Sequence, residues 1–262
     1  MKELKIYQVD AFSEKIFGGN PAAIVPLTAW LEDGKLQKIA MENNLSETAF
    51  YVKEEEQYQI RWFTPKVEVD LCGHATLASA HVLFEHEGFQ RDILHFYSHR
   101  SGNLNVKKST IGLTLDFPTD TVERTKISNE MLGCFTHKPI EAYRGKTDLV
   151  LVFQNEEDIR QLQFDLEKIK LIDARGVIAT AKGEEVDFVS RFFGPQVGVP
   201  EDPVTGSAHT TLTPIWAEKL GKNKLTARQL SQRGGALTCE LLGERVEITG
   251  KAVTYLEGRI FV

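Results

Sequence analysis

The chain has 262 residues, 42% of them hydrophobic, enough to bury a sizeable core as one large domain or as two of about 130 residues. A formal net charge of -6, with no Lys/Arg run longer than two, excludes the basic footprint of a nucleic-acid or anionic-membrane binder. No run approaches the roughly 18 apolar residues of a membrane span, MKELKIYQVDAF lacks the apolar segment of a signal peptide, and three cysteines without a CxxC pair fit reduced thiols, so a cytoplasmic protein is expected.

From Leu4 to Phe12 the alternating LKIYQVDAF predicts a strand, and GGNPAAIVPL a glycine turn feeding a second one. Asp33 and Gly34 open an amphipathic helix with Leu36, Ile39, Ala40 and Leu45 on one face. Glu47 then stands at a junction between that helix and the strand AFYVK. The strand QIRWFTP leads through a turn into GHATLASAHVLFEHEG, a helix apolar on nearly all sides, which marks it as wrapped by a sheet, and Gly88 is expected to close it as C′. Strands ILHFYS and IGLTLDFP follow, joined by polar turns, and Pro118 with TDTVERTK marks the crossing into a second half. There AYRGKTDLVLVF supplies strands, and EEDIRQLQFDLEKIK reads as one helix with Ile159, Leu162, Leu166 and Ile169 on a face. The helix GSAHTTLTPIWAEKLG, weakened by Pro214 and closed by Gly221, precedes three strand-like runs that end the chain.

The two halves repeat one another. Arg61/Arg191, Phe63/Phe193, Pro65/Pro195, Val67/Val197 and Val69/Val199 recur at a shift of 130, and after three extra residues Cys72/Thr205, Gly73/Gly206, His74/Ser207 and Ala75/Ala208 resume the frame. Each copy reads as strand, loop, helix. The repeat decides for two lobes: 1–117, with the C-terminal strand 253–262, and 118–252. Leu36/Leu166 and Ile39/Ile169 extend the shift backwards, yet Glu47 has no counterpart.

Two helices that begin with glycine are two anion sites in prospect, because free backbone N–H groups and the positive dipole end favour a carboxylate or phosphate. The bland alternative is a pair of ordinary turn glycines. Cys72 is either a thiolate activated by a helix N-terminus or a small buried hydrophobe. Its partner, Thr205, argues against a racemase with one thiol on each face. His74 is a proton carrier or a packed capping residue. Asp202, between Pro200 and Pro203, is a site residue on a stiff loop or a turn Asp bonding its own backbone. Glu47 is a partly buried general acid/base or part of a solvated turn. GxGxxG, Walker, HExxH and GxSxG motifs are absent, and the seven histidines show no metal spacing with acids or thiols.

Carried by VDAFSEKIFGGNPAAIV, NLSETAFYV, RWFTPKVEVDLCGHATL and FGPQVGVPEDPVTGSAH, the sequence resembles, over essentially its whole length, the PhzF family of phenazine-biosynthesis-like isomerases. The resemblance implies an α+β fold like that of diaminopimelate epimerase: two pseudo-symmetric lobes, each a sheet or barrel curled around a central helix, with an active site in the cleft between them. It implies that Glu47 moves a proton between carbons, assisted by Asp202 and His74, with Gly73, Gly206 and Ser207 holding a small carboxylated substrate and Cys72 an accessory. It further implies no cofactor, no metal and a homodimer. The epimerases carry a catalytic Cys at each glycine turn; here only Cys72 remains. A Cys72 racemase or epimerase and a non-catalytic small-molecule binding protein are the competing readings.

Overall fold

In the computed structural model, which describes residues 2–262, the chain divides into two units: the residues up to Asp116 together with Thr249–Val262, and Phe117–Ile248. The first contains strands β1 (Glu3–Ala11) and β2 (Asn20–Leu27), helix α1 (Asp33–Asn43), β3 (Glu47–Glu54), β4 (Gln57–Phe63), the short β5 (Glu68–Val69), helix α2 (Gly73–Glu85), β6 (Ile93–Ser98), β7 (Gly102–Ser109) and β8 (Gly112–Pro118). Strands β1 and β2 form the expected antiparallel pair. Gly19 turns the chain between them at φ +64, where an added Cβ would lie 2.1 Å from the Ala11 carbonyl oxygen, so only glycine fits. Parallel crossovers then run from β2 through α1 to β3 and from β4 through α2 to β6, with antiparallel steps at β3–β4, β6–β7 and β7–β8. The final strand, Ala252–Phe261, returns to pair with β1.

The all-round apolar α2 is the centre of this unit. Every residue from His74 to Ala80 is buried, and the helix packs on β1, β2, β3 and the final strand. On the other sheet face Leu36, Ile39 and Ala40 of α1 cover Val25, Leu27, Phe50 and Phe63. Fully burying each such large side chain is worth about 1.5–3 kcal/mol.

The second unit contains β9 (Glu123–Thr125), α3 (Asn129–Gly133), β10 (Glu141–Arg144), β11 (Asp148–Val152), α4 (Glu156–Arg160), α5 (Leu166–Ile169), β12 (Gly176–Lys182), β13 (Phe188–Gly194), β14 (Val199–Asp202), α6 (Gly206–Leu220), β15 (Lys224–Gln229), β16 (Gly235–Leu242) and β17 (Arg245–Gly250). Its pairings copy the first unit's. Strands β10–β11 are antiparallel, β11–β12 parallel, β12–β13 antiparallel, β13–β15 parallel around α6, and β15–β16 antiparallel. In β11 successive residues go to opposite faces: Leu149 and Leu151 join the core under the short helices, Val150 and Val152 the core against α6. Both faces are covered, and so all of DLVLV is buried. The fold is thus α+β, with each unit wrapping strands around one central helix.

Three sequence expectations need correction. GNLNVKKS is the strand β7, not a polar turn; only Leu104 and Val106 face inward, so the alternation is there but mostly polar. EEDIRQLQFDLEKIK is two short helices, because Phe164 pairs with Phe135 and Asp165 caps a new start through the N–H groups of Glu167 and Lys168. Helix α2 stops at Glu85, so Gly88, at φ +71, lies beyond the C′ position.

Helix α6 passes through Pro214 without breaking. The carbonyl of Thr210, which loses its partner because proline has no N–H, accepts from the Asp120 backbone at 3.4 Å instead. One turn earlier His209 is fully buried beside the Phe188 ring; its Nδ1–H donates to the Thr205 carbonyl at 2.8 Å, and its Nε2 has no hydrogen-bond partner. Burial pushes its pKa down to about 4. The native ring stays neutral while an unfolded chain binds the proton below pH ~6.5, so stability is lost as pH falls through ~6.5 and the loss levels off near the native value, at about 3 kcal/mol. His209→Gln should flatten the pH 4–6.5 slope of urea-measured stability. An unchanged slope removes this assignment.

Candidate active site

In the first unit the starts of β2, β3 and α2 bring four side chains together. Strands β2 and β3 are parallel with Ala22 opposite Glu47, which sets Asn20 and Glu47 near the same end of the sheet. Cys72 caps α2 and His74 lies in its first turn, both buried. His74 Nε2 is 3.2 Å from Glu47 Oε2, its Nδ1 is 3.3 Å from Asn20 Nδ2, and Cys72 Sγ lies 3.5 Å from Nδ1 and 4.0 Å from Nε2. The Glu47 oxygen is shielded from solvent, and its imidazole neighbour stands at ion-pair distance without a well-directed hydrogen bond. Thr48, next in β3, is held by Asn43 at the end of α1 through a 3.0 Å bond, which anchors the strand start behind Glu47.

The helix N-terminus does not activate Cys72. Burial, and after it the nearby Glu47 carboxylate, raise the thiol above its ordinary pKa, outweighing His74 and the Ala75 N–H. Cys72 is a thiol at neutral pH. Burial opposes charge on His74, but Cys72 and then Glu47 raise its pKa well above the ordinary value. The Glu47 carboxylate beside the ring is thus one of the two neighbours that favour its charged form.

In the second unit Asp202 ends β14 and Thr205 caps α6. The Thr205 hydroxyl donates to Asp202 Oδ2 at 2.5 Å, and Gln229 braces the turn, donating to the Asp202 carbonyl at 2.7 Å and accepting from the Thr205 N–H at 2.9 Å. Ser207 Oγ accepts from Arg175 Nη2 at 3.0 Å, and Arg175 also makes a two-pronged pair with the buried Asp148 carboxylate at 2.9 and 2.5 Å. Burial works against the guanidinium charge, yet Asp148 first, with Asp202 and Asp120 behind it, more than offsets it and the pKa is raised. Gly73 and Gly206 are the first residues of α2 and α6. Asn20, Arg175 and Asp148 were not singled out from sequence. Asn20 lay inside the quoted GGNPAA turn, while Arg175 had no distinguishing pattern.

Superposing the two registers moves one pair of the repeat. Trp62 faces Val69, and Phe192 faces Asp202, so Val69 matches Asp202 and not Val199. Glu68 consequently matches Glu201. Likewise Thr48 faces Phe63 as Val177 faces Phe193, which makes Gly176 the counterpart of Glu47. A Cβ at Gly176 would lie 2.3 Å from the Phe192 ring, over which the Arg175 guanidinium also sits at 5.6 Å. An aromatic ring fills the place of the acid, and Glu47 is unmatched for a steric reason.

Comparison with known proteins agrees. The family model for phenazine biosynthesis-like proteins matches residues 9–258. An uncharacterised isomerase of Pseudomonas aeruginosa is 49% identical over 98% of this chain and 99% of its own. The crystal structure of a PhzF-family phenazine biosynthesis protein from Enterococcus faecalis is 47% identical and superposes with a TM-score of 0.97 over 100% of both chains. A hydroxyproline epimerase from Agrobacterium vitis, 10% identical with a TM-score of 0.63 over 98% of this chain and 92% of its own, shares the fold alone. Among the described residues no helix is long and apolar enough to cross a membrane. Unit architecture, repeated turn and sequence thus lead to one conclusion: the chain belongs to the phenazine biosynthesis-like (PhzF) family of isomerases.

Proposed function

We propose that the protein is a cofactor-independent isomerase that moves a proton between two carbons of a small carboxylated, unsaturated or cyclic metabolite, with Glu47 as the general acid/base. The observation that carries this is the buried contact of Glu47 Oε2 with His74 Nε2 at 3.2 Å, beside a cysteine kept as a thiol. A carboxylate held by one cation donor takes a proton from carbon, becomes the neutral acid, and returns the same proton at another carbon. No redox or group-transfer step is needed. His74 steadies the carboxylate before proton removal and after return. The negative charge that builds on the substrate is met by N–H donors at the start of α2, beginning with Gly73. In the second unit the Thr205 hydroxyl orients Asp202 for the assisting role that the family resemblance gives it.

An epimerase acting through Cys72 is disfavoured. Its thiol is raised, and the matching Thr205 has its proton committed to Asp202. The proposal has the chain act as a cytoplasmic homodimer. It is tested by incubating the protein in D2O with a panel of small unsaturated and cyclic carboxylic acids and reading carbon-bound deuterium or migrated double bonds by NMR. Exchange that depends on Glu47 is the expected result; a ligand that binds with no exchange at all would leave a binding protein.

A further inference from the structure

We propose that Asn20 is a positioning residue for His74: its amide donates to Nδ1 and so assigns the neutral ring's one proton to Nε2, where an N–H, and not a lone pair, faces Glu47. The two ring nitrogens have different surroundings. Asn20 Nδ2 lies 3.3 Å from Nδ1, and Cys72 Sγ is nearer to Nδ1, at 3.5 Å, than to Nε2, at 4.0 Å. Glu47 Oε2 is 3.2 Å from Nε2. An amide nitrogen donates and does not accept, a protonated thiol has a proton to give, and an ionised carboxylate only accepts. Two donors thus meet at Nδ1 and one acceptor at Nε2. That is the setting of the Nε2–H tautomer, because the hydrogen bond made by one ring nitrogen decides where the proton sits on the other.

Of the two donors at Nδ1 the amide is the stronger, since S–H is a weak donor. Its place is also fixed. Asn20 is fully buried, opens β2 opposite Ala11 and follows the Gly19 turn that only glycine fits. An Asn that serves only its turn bonds the neighbouring backbone; this amide nitrogen reaches a ring 54 residues further along the chain. Cys72 and Glu47 are the ionisable neighbours that act on that ring. When it takes a second proton, Nδ1 binds it, so Nε2–H faces Glu47 in both charge states. The consequence for turnover rests on the isomerase reading. A ring with its proton on Nδ1 would turn a lone pair toward Glu47 and draw off the proton just taken from carbon. With Nε2 already protonated, His74 cannot take that proton, and it stays on Glu47 until it is returned.

The test uses no substrate, so it stands or falls apart from the isomerase reading. In the full chain labelled with 15N-histidine, the His74 ring nitrogens are followed by NMR through their titration to the neutral plateau, where protonated and lone-pair nitrogens have well-separated shifts. The wild type should lose its proton from Nδ1 and keep Nε2–H. Glu47→Ala removes the carboxylate that also favours this tautomer and admits water, which donates or accepts equally well. It should keep Nε2–H all the same, because Asn20 still donates to Nδ1. Cys72→Ala should keep it too, the amide being the stronger donor. Combining Glu47→Ala with Asn20→Asp places an acceptor at Nδ1 and should exchange the two ring shifts, moving the proton to Nδ1. An Nδ1–H ring in the wild type, in Glu47→Ala or in Cys72→Ala, or an Nε2–H ring in the double variant, overturns the assignment. Should the double variant not fold, the plateaus of Glu47→Ala and Cys72→Ala still decide.

Discussion

Glu47→Gln is expected to lower kcat by about 10²–10⁴-fold, the range for loss of a positioned general acid/base, while leaving the fold intact. A thousandfold loss corresponds to about 4 kcal/mol of transition-state stabilisation. The amide keeps the size of the side chain and disturbs neither the Asn43–Thr48 bond nor the register with Ala22 that positions it. What it removes is the carboxylate. Two readings of the same variant separate a chemical role from a structural one. Its urea midpoint should stay near the wild type's, and the His74 ring, followed by NMR, should titrate lower, because Glu47 is, after Cys72, the neighbour that raises its pKa against burial. Cys72→Ala is the matched control. A thiol pushed up by burial and then by Glu47 supplies no base at neutral pH, so its removal should cost less than about tenfold. If Cys72→Ala abolishes turnover and Glu47→Gln does not, the epimerase reading takes over.

Much of this arrangement was legible from residue order because duplication leaves a frame that can be counted. Arg61/Arg191, Gly73/Gly206 and Cys72/Thr205 fall at corresponding places in the two units, and the all-round apolarity of GHATLASAHVLFE marks α2 as central. The limits were physical. Three inserted residues sit between β13 and β14, and a count by identity placed Val199 opposite Val69 when the strand pairing places Asp202 there. Hydrophobic spacing at Ile159, Leu162 and Ile169 is helical, but the pairing of Phe164 with Phe135 overrides it. Convergence of Glu47, Cys72, His74 and Asn20 depends on a parallel strand register between β2 and β3, which no local pattern encodes. Arg175 was invisible for a similar reason: its partners Asp148 and Ser207 are 27 and 32 residues away.

Arg191→Ala is expected to destabilise the protein by about 3–5 kcal/mol, the cost of leaving one member of a buried ion pair alone. Arg191 heads the second copy of the repeat, is 9% exposed, and spends every nitrogen: Nε and Nη2 on Glu201 at 2.7 and 3.0 Å, Nη1 on the carbonyls of Ile159 and Leu162. Its guanidinium lies over Phe164 and Phe193 at 5.3 and 5.2 Å. The side chain therefore ties β13 to β14, and both to the end of α4, just before the turn that carries Asp202 and Thr205. Arg61 repeats the design in the first unit, with Glu68 at 2.7 and 2.9 Å and Asp33 at 2.9 Å. Its loss should cost less, about 1–2 kcal/mol, because Glu68 keeps a second cation, Arg100, at 3.0 Å, and Asp33 faces solvent. Glu201 has no such substitute among its described contacts. The difference between the two alanine variants, measured by urea unfolding at pH 7, tests the mechanism. Equal losses would mean that packing of the guanidinium on its aromatic neighbours, common to both sites, outweighs the stranded carboxylate. A double variant, Arg191→Met with Glu201→Leu, should then recover most of the loss if the stranded charge is the cause, since an apolar pair of similar volume carries no unpaired ion.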